Sequence, residues 1–169
     1  FDLIAEAMGE LMSLDIQIVV IGTGEARYEE MFRHTAWCNP TKMSANITFN
    51  NDLAHKVYAA SDIFLMPSMF EPCGLSQLIS FAYGTIPLVR ETGGLRDTVT
   101  PYNKFTGEGN GFSFYAYNAH DMVNTLRMAL ELFADKSVWD PLVKRALKQD
   151  FSWKESAAKY QELYNNLIG

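Results

Sequence analysis

Several things are scarce in this sequence. Only two of its 169 residues are cysteine, Cys38 and Cys73, too few for a disulfide framework or a four-ligand zinc site. A reducing cytosol or organelle stroma fits that usage. An excess of cations is also missing: 14 Lys plus Arg stand against 20 Asp plus Glu, a formal net charge of −6. A chain of that sign with no basic run is a poor partner for nucleic acid or an anionic membrane. No apolar run approaches the roughly 18 residues of a membrane span, and no basic-then-apolar leader opens the chain. Internal repeats and low-complexity segments are lacking. What is present is core material: 48% of the residues are hydrophobic and 13% aromatic, which excludes disorder. The length is one domain's worth, since domains take roughly 100–200 residues.

Periodicity predicts an alternating order. Leu3, Ile4, Ala7, Met8, Leu11 and Met12 make one helical stripe over residues 1–14. A short apolar, β-branched run at 15–21 reads as a buried strand, followed by a helix at 25–36. Then come a strand at 46–49, a helix at 52–60, a strand at 62–66, a helix at 75–83 and a strand at 85–89. The stretch 97–111 holds Pro101, Gly107, Gly109 and Gly111 and reads as an exposed loop. A last strand is expected at 111–114, where Phe112 and Phe114 alternate as core residues. Helices at 119–133, capped by Asn118, 138–148 and 154–167 finish the chain. Alternation of this kind predicts right-handed βαβ units, hence a parallel sheet with helices on both faces. One feature is odd: the chain opens in an apolar helix with no strand to feed it, as if cut inside a βαβ unit.

In open α/β sheets, ligands bind beyond the carboxyl ends of the strands. Three turn-rich loops are expected there, at 22–25, 67–74 and 91–95. Gly22-Thr23-Gly24 begins like a dinucleotide fingerprint, but the third glycine position holds Arg27, so the pattern fails. The run Phe70-Glu71-Pro72-Cys73-Gly74-Leu75-Ser76 carries more. Glu71 sits between a strand and a helix, and free amides at a helix start attract anions. The amides near Gly74, Leu75 and Ser76 are therefore candidates for a phosphate, and Glu71 for the hydroxyls of a polyol. The plainer alternative makes Glu71 a helix cap and Cys73 core packing. Gly93 and Gly94 are either a structural turn or a backbone wall of the same site, and Phe49 either a core strand residue or a ligand contact. His34, His55, His120 and the two cysteines show no metal-ligand spacing; His55 reads as a surface or packing residue.

At this point a resemblance becomes specific. Residues 61–99, with Pro-Ser-Met-Phe-Glu-Pro-Cys-Gly-Leu-Ser-Gln inside them, resemble the C-terminal domain of bacterial glycogen synthases and plant starch synthases, glycosyltransferase family 5. The runs at 21–25, 109–114 and 150–153 match too, so the resemblance covers nearly the whole chain. It implies a GT-B fold, two Rossmann-like domains with the active site between them. The implied reaction transfers glucose from a nucleotide sugar, usually ADP-glucose, to an α-1,4-glucan with retention. On that resemblance residues 1–169 are the C-terminal nucleotide-sugar-binding domain, without its first strand and without the N-terminal domain. Glu71 is then the catalytic carboxylate that accepts donor glucose hydroxyls, with the backbone of Cys73 and Gly74 on the same sugar. Leu75 and Ser76 hold the distal phosphate, Gly93 and Gly94 line the pocket, and Phe49 stacks on adenine.

The second glutamate of related retaining transferases, eight residues on, is Ile79 here; this favours the glycogen/starch group. The resemblance places an Arg/Lys loop for the diphosphate upstream of Phe1, and a catalytic His with the acceptor site in the N-terminal domain. The fragment alone is therefore expected to be inactive. No cofactor is implied, and no PLP lysine motif is visible. Expected partners are ADP-glucose, the glucan and the missing domain, in a bacterial cytoplasm or plastid stroma. Two other classes stay open: a GT-B transferase using a UDP-sugar, and a non-catalytic nucleotide- or glucan-binding module.

Overall fold

The alternating periods become an alternating chain of elements in the computed structural model, which describes residues 1–168. In order they are α1 (Asp2–Ser13), β1 (Ile18–Ile21), α2 (Ala26–Cys38), β2 (Met43–Asn46), α3 (Asn51–Ala60), β3 (Ile63–Met66) and α4 (Ser76–Tyr83). There follow β4 (Ile86–Arg90), α5 (Gly93–Thr98), β5 (Phe112–Phe114), α6 (Ala119–Phe133), α7 (Lys136–Ala146) and α8 (Trp153–Ile168). The strand pairs β1–β2, β3–β4 and β4–β5 are all parallel. Parallel neighbours need long crossovers, and the interleaved helices provide them, as the sequence pattern requires.

The strands fall into two groups. β1 and β2 form one sheet and β3, β4 and β5 another, so β1 and β3 each keep an edge without a strand partner among the described residues. Both nevertheless serve one core, against which Ile18 of β1 and Ile63 and Leu65 of β3 pack. β4 is the middle strand of three, and Ile86, Leu88 and Val89 are fully buried on it. From one side α1 contributes Leu3, Ala7 and Leu11, and α6 contributes Met122, Val123, Leu126 and Ala129, both at helical spacing. Phe112 stacks on Trp139 with ring centroids 6.1 Å apart. Burying each large apolar side chain contributes about 1.5–3 kcal/mol. Truncating Leu88 to alanine would cost about 2–5 kcal/mol, because the site cannot collapse around the hole. A smaller cluster of Met8, Phe32 and Met43 lies under α2.

Two expectations change. The strand expected at 46–49 is instead Met43–Asn46, in register with Ile18–Ile21. Met43 is its buried anchor. Asn46 ends it: the Thr48 amide donates to the Asn46 carbonyl at 2.9 Å, a turn that breaks the ladder. Asn50 then caps α3 by accepting from Leu53 N at 2.9 Å. Phe49 consequently lies in the loop, neither in a strand nor in the core. The second change is α5, a short helix where turn and loop were expected. Its two leading glycines have poor helix propensity, and burial of Gly94 and Leu95 overrides it. Of the loop expected at 97–111, residues 97 and 98 belong to α5 and Val99, Asn110 and Gly111 are buried, while 103–106 are exposed, pinched by a bridge between Asn103 and Glu108. Asn118 caps α6 as expected, accepting from Asp121 N at 2.7 Å. No helix of the described residues is long and apolar enough to cross a membrane.

Candidate functional site

Because the pairings are parallel, the carboxyl ends of β3, β4 and β5 share one edge, and the loops leaving it converge. The loop after β3 is shaped by Gly74. Its φ of +75° lies in the left-handed region, which favours glycine. A Cβ there would also lie 2.4 Å from Gln77 Oε1. The turn delivers the chain into α4 with Leu75 at the N-cap, and no side chain caps the helix. The amides of Ser76, Gln77 and Leu78 therefore have no acceptor among the described residues, at the positive end of the helix dipole.

Glu71 stands at the head of this turn. It is half-buried, and among the described residues no donor reaches its carboxylate. It is therefore not a cap for α4, and its acceptor capacity is free. Cys73 is exposed rather than packed in the core. Leu75 is also exposed and Ser76 half-buried.

The loop is held from behind by α5 and by Gln77. Gly94 N donates to Glu71 O at 3.1 Å. A Cβ on Gly93 would fall 2.0 Å from Glu71 O, and one on Gly94 2.0 Å from Cys73 O. The two glycines thus let one stretch of backbone lie flat against another, which a residue with a side chain would prevent. Gln77 is the second residue of α4. It is wholly buried, and its Nε2 donates to Gly74 O at 2.9 Å, Cys73 O at 3.2 Å and Thr98 Oγ1 at 3.2 Å. Thr98 in turn donates to Gly94 O at 2.7 Å. Glu71, Cys73, Gly74, Gly93 and Gly94 are therefore parts of one hydrogen-bonded unit keyed by Gln77. A polar amide one position into a helix beside a glycine was the only hint of it in the sequence.

The remaining candidates lie around this unit. Phe49 is 83% exposed and comes from the loop after β2, in the other sheet. The turn after β1 is closed by Glu29, whose Oε1 accepts from Gly24 N at 2.9 Å. That amide holds the Glu29 carboxyl below its usual range, with Arg33 adding to it. Beyond β5, Tyr117 Oη donates to Asp2 Oδ1 at 2.5 Å. This bond pushes the phenol up to about 12 and holds the Asp2 carboxyl low.

An alternating α/β chain with parallel strands, and with an uncapped helix start and a free carboxylate at the strand ends, defines a Rossmann-like domain with one candidate site at that edge. The chain belongs to the family described as "Glycosyl transferases group 1", whose sequence model matches residues 1–138. It is similar to the glycogen synthase of Clostridium novyi (strain NT), 56% identical over 168 residues, 99% of this chain and 35% of that protein. It is also 59% identical to the glycogen synthase of Clostridioides difficile (strain 630), over 99% of this chain and 35% of that protein. Among solved structures, the catalytic domain of starch synthase IV from Arabidopsis thaliana, bound to ADP and acarbose, matches 98% of this chain with a TM-score of 0.84 and 33% identity. The chain spans 35% of the length of each of these. The resemblance to glycogen and starch synthases read in the sequence is thus borne out.

Proposed function

We propose that this chain is the donor-binding half of a retaining glucosyltransferase that lengthens α-1,4-glucan from ADP-glucose. The observation that carries the reading is the 71–76 unit: a free carboxylate five residues before an uncapped helix start, held rigidly by Gln77, Gly93 and Gly94. A sugar diphosphate has complementary parts, hydroxyls that need an acceptor and a phosphate that needs donors. Glu71 accepts from the glucose hydroxyls, and the amides of Leu75 and Ser76, with the Ser76 hydroxyl, donate to the distal phosphate. The exposed Phe49 ring offers a stacking face for adenine.

In the reaction the bond from the anomeric carbon to the diphosphate oxygen breaks, and negative charge builds on the departing phosphate. Donors aimed beforehand at that charge are usually the largest catalytic contribution. This chain supplies neutral amides. The balancing cations, the acceptor site and the catalytic histidine belong, in this reading, to the part of the enzyme outside residues 1–169.

The same reading places another strand in the fold. A strand feeding α1 by a right-handed crossover would lie parallel to β1, with the unpaired edges of β1 and β3 as its partners in this reading. The other domain of the same polypeptide would cover α8. Of residues 153–167 all but Ser156 are exposed there, with Trp153, Tyr160, Tyr164 and Leu167 on the surface. Such a glucan synthase works in a bacterial cytoplasm or a plastid stroma.

The test is initial-rate transfer to glycogen by the intact enzyme with ADP-glucose and UDP-glucose, beside calorimetric titration of ADP. Preference for ADP-glucose supports the reading. Preference for UDP-glucose assigns a different donor, and nucleotide binding without transfer makes the protein a binding module. The isolated chain should transfer nothing; turnover by it would require cations and a base within residues 1–169.

A further inference from the structure

We propose that Arg90 is a positioning residue that clamps the donor loop, and that Tyr117 extends the clamp to the first turn of α1. Arg90 ends β4, and its Nη1 donates to the carbonyl of Met69 at 2.7 Å and to that of Ser68 at 3.4 Å. These carbonyls lie on the loop that carries Glu71. The guanidinium carbon of Arg90 lies over the Tyr117 ring, 5.2 Å from its centroid. Tyr117 then donates to Asp2, at the start of α1. The belt thus runs from the loop after β3, across the end of β4 and the segment after β5, to α1.

The chemistry of Arg90 sets this arrangement apart from a surface ion pair. Among the described residues its guanidinium meets no carboxylate, and Nε is buried without an acceptor. Its charge is balanced by loop carbonyls and a ring face alone. A cation held in a half-buried place with so few partners is costly unless those partners stay put. The cost of losing them is what pins the loop. Gln77 and Gly94 grip the loop at residues 71–74 from below, while Arg90 grips it at 68 and 69 from the β4 side. Glu71 lies between the two grips.

This inference rests on the reading of Glu71 as a donor ligand, and the experiment separates the two. In the intact enzyme, Arg90→Met, Arg90→Lys and Tyr117→Phe are compared by amide hydrogen exchange of residues 67–75 and by steady-state transfer from ADP-glucose. Arg90→Met should speed exchange in that loop about tenfold, the loss expected of a charge-assisted hydrogen bond. Exchange in α7 should be unchanged. kcat should fall by a similar factor with less change in KM, since a misplaced loop chiefly spoils the transition state. Arg90→Lys, which keeps a charged donor, should recover most of both. Tyr117→Phe should loosen the first turn of α1 and affect the loop less. Unchanged loop exchange in Arg90→Met, or no rescue by lysine, overturns the clamp. If Arg90→Met does not fold, Tyr117→Phe decides the matter, since the belt fails if neither segment loosens. A loosened loop with undiminished transfer leaves the clamp standing and overturns the donor-site reading instead.

Discussion

Gly94 and Cys73 meet backbone to backbone: a methyl group at position 94 would sit 2.0 Å from the Cys73 carbonyl oxygen. Nothing flexible is there to yield, because the obstacle is main chain on both sides. Helix α5 and the 71–74 turn therefore behave as one body.

Gly94→Ala tests that body. The backbone at 94 has no positive φ, so the effect is steric alone. Overpacking of this kind costs about 1–3 kcal/mol. The melting temperature of the intact enzyme should drop modestly, and kcat/KM by more than that loss explains, because the turn bearing Glu71 must move. Wild-type activity with a lowered melting temperature would show that the two sides separate freely.

Gln77→Ala removes the key that joins Cys73, Gly74 and Thr98. Buried acceptors left without a donor cost about 1–3 kcal/mol. Chemical denaturation should show that loss, with an unchanged slope because the exposed area is the same. Gln77→Glu should be worse above the carboxylate range than below it. A charged oxygen would then face the Cys73 and Gly74 carbonyls, and protonation restores a donor.

Glu71→Gln should leave the fold intact, since the carboxylate holds nothing together among the described residues. Transfer from ADP-glucose should fall at least about a hundredfold, roughly 2.7 kcal/mol of transition-state stabilisation. Thermal melting and initial rate on one sample decide it. A folded, fully active variant removes Glu71 from the donor site.

Phe49→Ala should raise KM for the donor with a smaller change in kcat, the signature of a contact felt equally in ground and transition states. Its ring is exposed, so stability should change little. An unchanged KM takes Phe49 out of the base site.

Tyr117 and Asp2 give a stability profile at both ends of the pH scale. The phenol is raised, to about 12, so its contribution is complete below the unfolded value near 10 and fades as pH climbs through the folded one. The Asp2 carboxyl is lowered, so its contribution is present above the unfolded value and is lost as pH falls through the folded one. Tyr117→Phe should flatten both limbs of a plot of melting temperature against pH. Unaltered limbs would mean that the bond carries no stability.

The order of elements, their parallel pairing and the loop holding Glu71 were legible in the sequence. Each follows from local chemistry: helical stripes in α1 and α6, β-branched runs in β1 and β4, a glycine where the chain must turn, Asn118 where a helix must start. The family resemblance was legible for the same reason, because a run such as Phe-Glu-Pro-Cys-Gly-Leu-Ser-Gln survives intact in one-dimensional form. Tertiary structure decided the rest. Strand β2 lies at Met43–Asn46 because pairing with β1 and burial of Met43 outweigh the stronger β propensity of residues 47–49. Helix α5 forms despite two glycines because its partner is the backbone of a loop about twenty residues away in sequence. Gln77, Gly94 and Arg90 matter through what they touch across such gaps, and no local pattern encodes a contact whose other half lies on a different strand's loop.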